Sequence, residues 1–101
     1  MFGDYSLDGT YTADLQRCTT AAEAACKKVN LDVTNKELRD KTAVVDARES
    51  NSNPVRIQMS RSGDAQTKVT FSARDSNGSD PRALTARLKA EFDRQLAAVD
   101  Q

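Results

Sequence analysis

The stretch Arg17–Val33, "RCTTAAEAACKKVNLDV", decides how the chain is read. Within it the apolar period changes from that of a helix to that of a strand. Cys18, Ala22, Ala25, Cys26 and Val29 fall at i, i+4, i+7, i+8 and i+11, one face of a helix. Alanine, the strongest helix former, is abundant, and Lys27 and Lys28 sit where cations favour the helix dipole. Asn30 is a natural left-handed stop, and Leu31 and Val33 open a strand of period two. The stretch also holds both cysteines of the chain, eight positions apart. On a helix that separation is about 12 Å, beyond the ~7 Å span of a disulfide. With no histidine and no third cysteine, zinc lacks a ligand set. Cys18 and Cys26 therefore read as small core residues, with Cys18, near the helix start, the better candidate for a reactive thiol.

Upstream, Met1–Thr10 ("MFGDYSLDGT") has two glycines and no clear period, and reads as an irregular lead-in before a single domain over residues 11–101. "YTADL" then alternates, with Tyr11, Ala13 and Leu15 on one side. Downstream, Leu38 breaks the phase set by Leu31 and Val33, so a turn or bulge is expected in "TNKELRDKT". Ala43, Val45 and Ala47 resume a strand. Asn53 and Pro54 mark a turn. "VRIQM" and "KVTFSAR" alternate cleanly, with Val55, Ile57, Met59, Val69, Phe71 and Ala73 inward, and "SRSGDAQ" joins them as a hairpin. "DSNGSDP" is a loop, in which "NGS" at Asn77 formally matches a glycosylation acceptor. Asp80 and Pro81 then read as the N-cap and first residue of a second helix, with Leu84, Leu88, Phe92, Gln95, Leu96 and Val99 as its inner stripe.

The order β-α-β-β-β-β-α, with one apolar face per element, predicts an α+β two-layer sandwich. A mainly antiparallel sheet of about five strands carries both helices on one face.

At 101 residues the chain is one modest domain. Fifteen basic and 15 acidic residues give zero net charge, against general polyanion binding. No apolar run approaches the ~18 residues of a membrane span, so no direct membrane insertion is expected. No stretch reads as a basic-then-apolar leader, which leaves the compartment open between the cytosol and an exported mature form. Without histidine, Ser–His–Asp and Cys–His devices are excluded. The carboxylates lie in polar surroundings, and no glycine-rich phosphate loop opens a helix. No catalytic residue, metal ligand or cofactor site emerges. "KVTFSAR" has the basic and aromatic residues of an RNA-recognition strand, but Phe71 shares the inward phase of Val69 and Ala73 and is unavailable for stacking.

The pieces "YTADL", "AAEAACKKVNLDV", "AVVDARES" and "VRIQMSRSGDAQTKVTFSAR", followed by an amphipathic helix, resemble functionally uncharacterised short bacterial envelope proteins over about Tyr11 to Leu96. In that group a signal peptide and a lipid-attachment cysteine precede the domain. Neither motif occurs in this sequence, so the periplasmic or extracellular location rests on the resemblance alone, with the cytoplasm as the alternative. The resemblance implies a non-enzymatic binding or assembly module and carries no active site. Two other readings stand beside it: a cytosolic RNA-binding domain, and a small-ligand carrier with a cavity under the helices.

The expected working surface is the open face of the sheet. Its outward residues are Thr12, Asp14, Asp32, Thr34, Val44, Asp46, Arg48, Arg56, Gln58, Lys68, Thr70 and Ser72. The candidate interaction face centres on Asp46, Arg48, Arg56, Gln58, Lys68 and Thr70, engaging a protein partner or another copy of the chain and no nucleic acid.

Overall fold

A computed structural model describes residues 5–49, 52–74 and 80–99. The elements are β1 (Tyr5–Tyr11), α1 (Leu15–Lys28), β2 (Asp32–Leu38), β3 (Thr42–Glu49), β4 (Ser52–Gly63), β5 (Gln66–Ala73) and α2 (Pro81–Val99). The strands form one five-stranded sheet in the order β1-β5-β4-β3-β2, every neighbouring pair antiparallel. Both helices pack on one face, giving the expected two-layer α+β sandwich. α1 lies over β2, β3 and β4, α2 lies over β1 and β5, and the helices pack against each other.

The first strand lies elsewhere than the alternation of "YTADL" predicts. Residues 5–10, expected to be irregular, belong to β1, which pairs with β5 from Tyr5 opposite Ala73 to Tyr11 opposite Thr67. Tyr5, Leu7, Gly9 and Tyr11 face the helices, and Ser6, Asp8 and Thr10 face away. Ala13 is a buried linker residue, and Leu15 begins α1. Asp14 is the N-cap, its side chain accepting a 2.8 Å hydrogen bond from the Arg17 amide. Such a cap satisfies one of the donors a helix start leaves orphaned.

α1 ends as its sequence predicts. Asn30 takes φ 64°, its N–H donates to the Lys27 carbonyl, and the Leu31 N–H donates to that of Cys26 at 2.8 Å. This is the Schellman closure, and it buries Leu31 beside the last turn. The bulge in β2 lies between Val33 and Asn35. It corrects the phase, so Val33, Lys36 and Leu38 all face the helix layer, and the turn follows at residues 39–41. Lys36 uses this position to reach Glu23 on α1 at 3.2 Å.

Pro54, expected in a turn, lies inside β4 opposite Arg48, next to a second register shift. Proline, which lacks a ladder donor, is tolerated in strands at such irregularities. The β4–β5 hairpin closes through Asp64 and Ala65, with Ala65 at φ 57° and Gly63 at φ 150°. Asp80 caps α2 by accepting from the Arg82 amide at 3.0 Å. Phe2 and Asn77 lie outside the described residues.

The core is the packed interface between sheet and helices. Phe71 and Phe92 are its largest fully buried side chains, joined by Ile57, Met59, Leu84 and Leu88. The Phe71 and Phe92 rings meet edge to face at 5.2 Å, and Tyr11 meets Phe92 in the same way at 4.9 Å. Buried threonines keep their hydroxyls satisfied: Thr19 donates to the Leu15 carbonyl and Thr67 to that of Ala13, both at 2.8 Å. Among the described residues no buried side-chain polar atom lacks a partner.

Candidate functional site

Strand register turns the outward residues into an ordered grid. One row, from β1 to β3, is Thr10, Lys68, Ser60 and Thr42. The next, continuing to β2, is Asp8, Thr70, Gln58, Val44 and Glu37. The third is Ser6, Ser72, Arg56, Asp46 and Asn35. At the end of the sheet, Pro54, Arg48 and Asp32 align, with the Arg74 amide bonded to the Pro54 carbonyl.

All six candidate residues lie on this face. Asp46 and Arg56 are directly joined: Nε and Nη2 of Arg56 donate to the two carboxylate oxygens at 2.7 and 3.2 Å. Asn35 Nδ2 donates to the same carboxylate at 3.4 Å, and the Thr34 hydroxyl donates to the Asp46 carbonyl at 3.3 Å. The fork geometry is specific to arginine. The carboxylate hydrogen bond, then its charge, hold the Arg56 guanidinium above its ordinary pKa, which changes nothing in a group charged at every working pH. Gln58 and Thr70 are cross-strand neighbours, and the Thr70 hydroxyl donates to Asp8 at 2.9 Å. Arg48 lies on the same side of β3 as Asp46, and Lys68 sits at the opposite end of the face. The structure thus groups Asp46, Arg48 and Arg56 at one end and sets Lys68 apart. Thr12 and Asp14 leave the face, because β1 ends before them.

Around Asp46 and Arg56 the twisted face forms an open cleft of about 730 Å³. Thr34, Arg48, Pro54, Ser72 and Arg74 contribute to its lining, with the small residues Ala47, Val55 and Ala73. Ser6, Asp8, Asn35 and Arg74 belong to this surface and were not in the sequence-based set. The first two follow from the alternation of "YSLDGTY", where Gly9 takes an inward position and weakens the pattern.

Other candidate chemistry is confined to the core. Cys18 and Cys26 are free, buried thiols. Burial pushes both up, Cys26 to about 12, so neither is a thiolate near neutral pH. Among the described residues no group of three or more His, Cys, Asp or Glu side chains is placed to hold a metal ion. Where a ligand carrier would hold cargo, between helices and sheet, Phe71, Phe92, Ile57, Met59 and Leu84 occupy the space. Tyr5, Tyr11 and Phe71 all face the helix layer, so among the described residues the open face presents no aromatic ring. No described helix is long and apolar enough to cross a membrane.

The chain superposes on the crystal structure of the protein Ara h 8.0201 with TM-score 0.52 at 9% identity, covering 98% of each chain. An 18 kDa protein of Caulobacter crescentus, solved in solution, aligns at TM-score 0.38 and 14% identity, over 93% of this chain and 88% of that one. The first likeness shows the fold alone, and the second carries no argument. No curated protein matches the sequence. Residues 2–73 match a family described as protein of unknown function, DUF3568, and since they span well over half of its length, the chain belongs to that family.

Proposed function

We propose that the protein is a non-enzymatic binding or assembly module of the bacterial cell envelope, and that the open sheet face is its docking surface. One observation carries the reading. Both helices are used to cover the inner face, while the outer face keeps a cleft of about 730 Å³ around a pre-formed Asp46–Arg56 pair. Arg48 stands exposed in its lining, and Gln58 and Lys68 stand exposed farther along the same face. A surface of fixed polar groups on rigid strands suits recognition of a partner protein. The envelope setting is supported by the sequence resemblance.

Three features favour a protein partner over RNA. Among the described residues the face has no ring on which a base stacks, its margins carry Asp8 and Glu37, and the chain has no basic excess. The experiment is a triple substitution, Arg48→Glu, Arg56→Glu and Lys68→Glu, followed by sedimentation analysis of self-association and partner capture from the source cell. The reading expects one of the two to be lost. Unchanged behaviour in both removes the face and leaves the sheet edges.

A further inference from the structure

We infer that β1 is the interface between two copies of this chain. The free edges of the two strands pair antiparallel about a two-fold axis at Leu7, joining the two sheets into one, with the helices of both copies on the same side. The inference is independent of the open-face reading, since it uses the edge and leaves that face free.

The first support is the edge itself. The sheet ends in two edge strands, β1 and β2. β2 carries a bulge between Val33 and Asn35 and the charged residues Asp32, Lys36 and Glu37, devices that keep an edge from pairing. β1 has no bulge, lysine or proline, and keeps an unbroken register with β5 from Tyr5 to Tyr11. Its one charge, Asp8, already accepts from the Thr70 hydroxyl. Among the described residues no other backbone group bonds to its outer edge. Tyr5, Leu7 and Tyr11 are half-buried, so an apolar margin runs along the same edge.

The second support identifies the occupant. α2 runs along β1: Arg82 lies over the Tyr5 ring at 5.7 Å, and Asp93 accepts from the Tyr11 hydroxyl at 2.7 Å. That hydroxyl lies beside Gly9. Arg82 therefore marks the Tyr5 end and Asp93 the Gly9 end, with Leu7 midway. A two-fold axis at Leu7 exchanges these ends and sets Arg82 of each copy beside Asp93 of the other. The same register puts Leu7 opposite Leu7, the Ser6 hydroxyl opposite the Asp8 carboxylate, and the Tyr5 ring against the Tyr11 ring over Gly9. Centring on Asp8 instead opposes two carboxylates, and centring on Gly9 brings the two Asp93 carboxylates together. Spacing agrees. α2 straddles β1 and β5, so pairing the edges leaves the two α2 axes about 10 Å apart, two strand spacings, where helices pack. Ala86, exposed on the flank between Arg82 and Lys89, is small enough for that approach.

The test is sedimentation of the full chain over a concentration series, with cysteine cross-linking to read the register. The chain is expected to sediment as a dimer that dissociates on dilution. Leu7→Cys, which keeps an apolar side chain, is expected to form a disulfide-linked dimer on mild oxidation. Facing residues of an antiparallel pair have α-carbons about 5 Å apart, within disulfide reach. Thr10→Cys, farther along the strand, is expected to form none, nor is the parent, whose Cys18 and Cys26 are buried. Arg82→Glu, at an exposed position, is expected to weaken the dimer about tenfold, as two attractive pairs become repulsive. The open-face variant Arg48→Glu, Arg56→Glu, Lys68→Glu is expected to stay dimeric, so that its capture of a partner tests the docking face separately. A chain that is monomeric at every concentration overturns the inference and leaves the edge to an extended segment of another protein. A dimer that Thr10→Cys links and Leu7→Cys does not, that the open-face variant abolishes, or that is as tight with Arg82→Glu as without it, overturns it as well.

Discussion

The Tyr11 hydroxyl donates a 2.7 Å hydrogen bond to the carboxylate of Asp93, 82 positions away in sequence. It ties the edge strand β1 to α2 at the point where the Tyr11 ring meets Phe92. Lys89, 3.5 Å from Asp93 and over the face of the Tyr11 ring at 5.7 Å, completes the contact. Removing only the hydroxyl, in Tyr11→Phe, is expected to cost about 1–2 kcal/mol, because the acceptor is charged but remains partly solvated. Denaturant unfolding measures it, and an unchanged midpoint would mean that water replaces the bond without loss.

Gly9 makes that contact geometrically possible. A Cβ at this position lies 2.9 Å from Cε1 and from the hydroxyl oxygen of Tyr11, so any larger residue must push the ring aside. Gly9→Val is expected to destabilise by about 1–3 kcal/mol. In a Tyr11→Ala background the same change should cost much less, since the clashing ring is gone. Equal costs in the two backgrounds would show that the glycine serves something else.

The Phe71–Phe92 pair anchors the centre of the core. Each Phe→Ala change is expected to cost about 3–5 kcal/mol. The double variant should lose less than the sum, because the two rings share one contact. A single variant melting within a degree or two of the parent would place that ring outside the core.

These contacts show where the sequence was readable. The alternation through Ala43–Ala47, Val55–Met59 and Val69–Ala73, and the helical stripes of Cys18–Cys26 and Leu84–Leu96, each report burial locally, so these elements follow from period alone. β1 does not, because Gly9 and Asp8 weaken its strand character and its stability comes from β5, some sixty positions away. Pro54 reads as a turn in isolation and is accommodated only by the register shift beside it. At the site, the outward phase of Asp46 and Arg56 was legible. Their pairing was not, because it depends on which residue of β3 stands opposite which residue of β4, and Asn35 joins them only through the bulge in β2.

The buried acids define an alkaline limit. Tyr11 is held well above its ordinary value near 10, first by burial and then by Asp93. Cys18 and Cys26 are raised above their ordinary value near 9, chiefly by burial. In each case the folded state holds the proton more tightly. Stability is therefore full below pH 9 and falls as the unfolded chain ionises first, through pH 9 and then pH 10. Cys26→Ala should flatten the first part of that fall and Tyr11→Phe the second. A melting temperature independent of pH across this range would contradict the burial of these groups. Consistent with it, both thiols should resist a thiol reagent until the protein unfolds, and no Cys18–Cys26 cross-link should appear in the native, alkylated protein.

The docking role of the open face is tested most directly by site-specific photo-crosslinking in the source cell. A photoreactive residue is placed at Gln58, in the middle of the face, and in a second strain at Arg87, on the exposed side of α2. The account predicts a discrete adduct, to a partner protein or to a second copy, from position 58 and none from position 87. Adducts from position 87 with none from position 58 would contradict it.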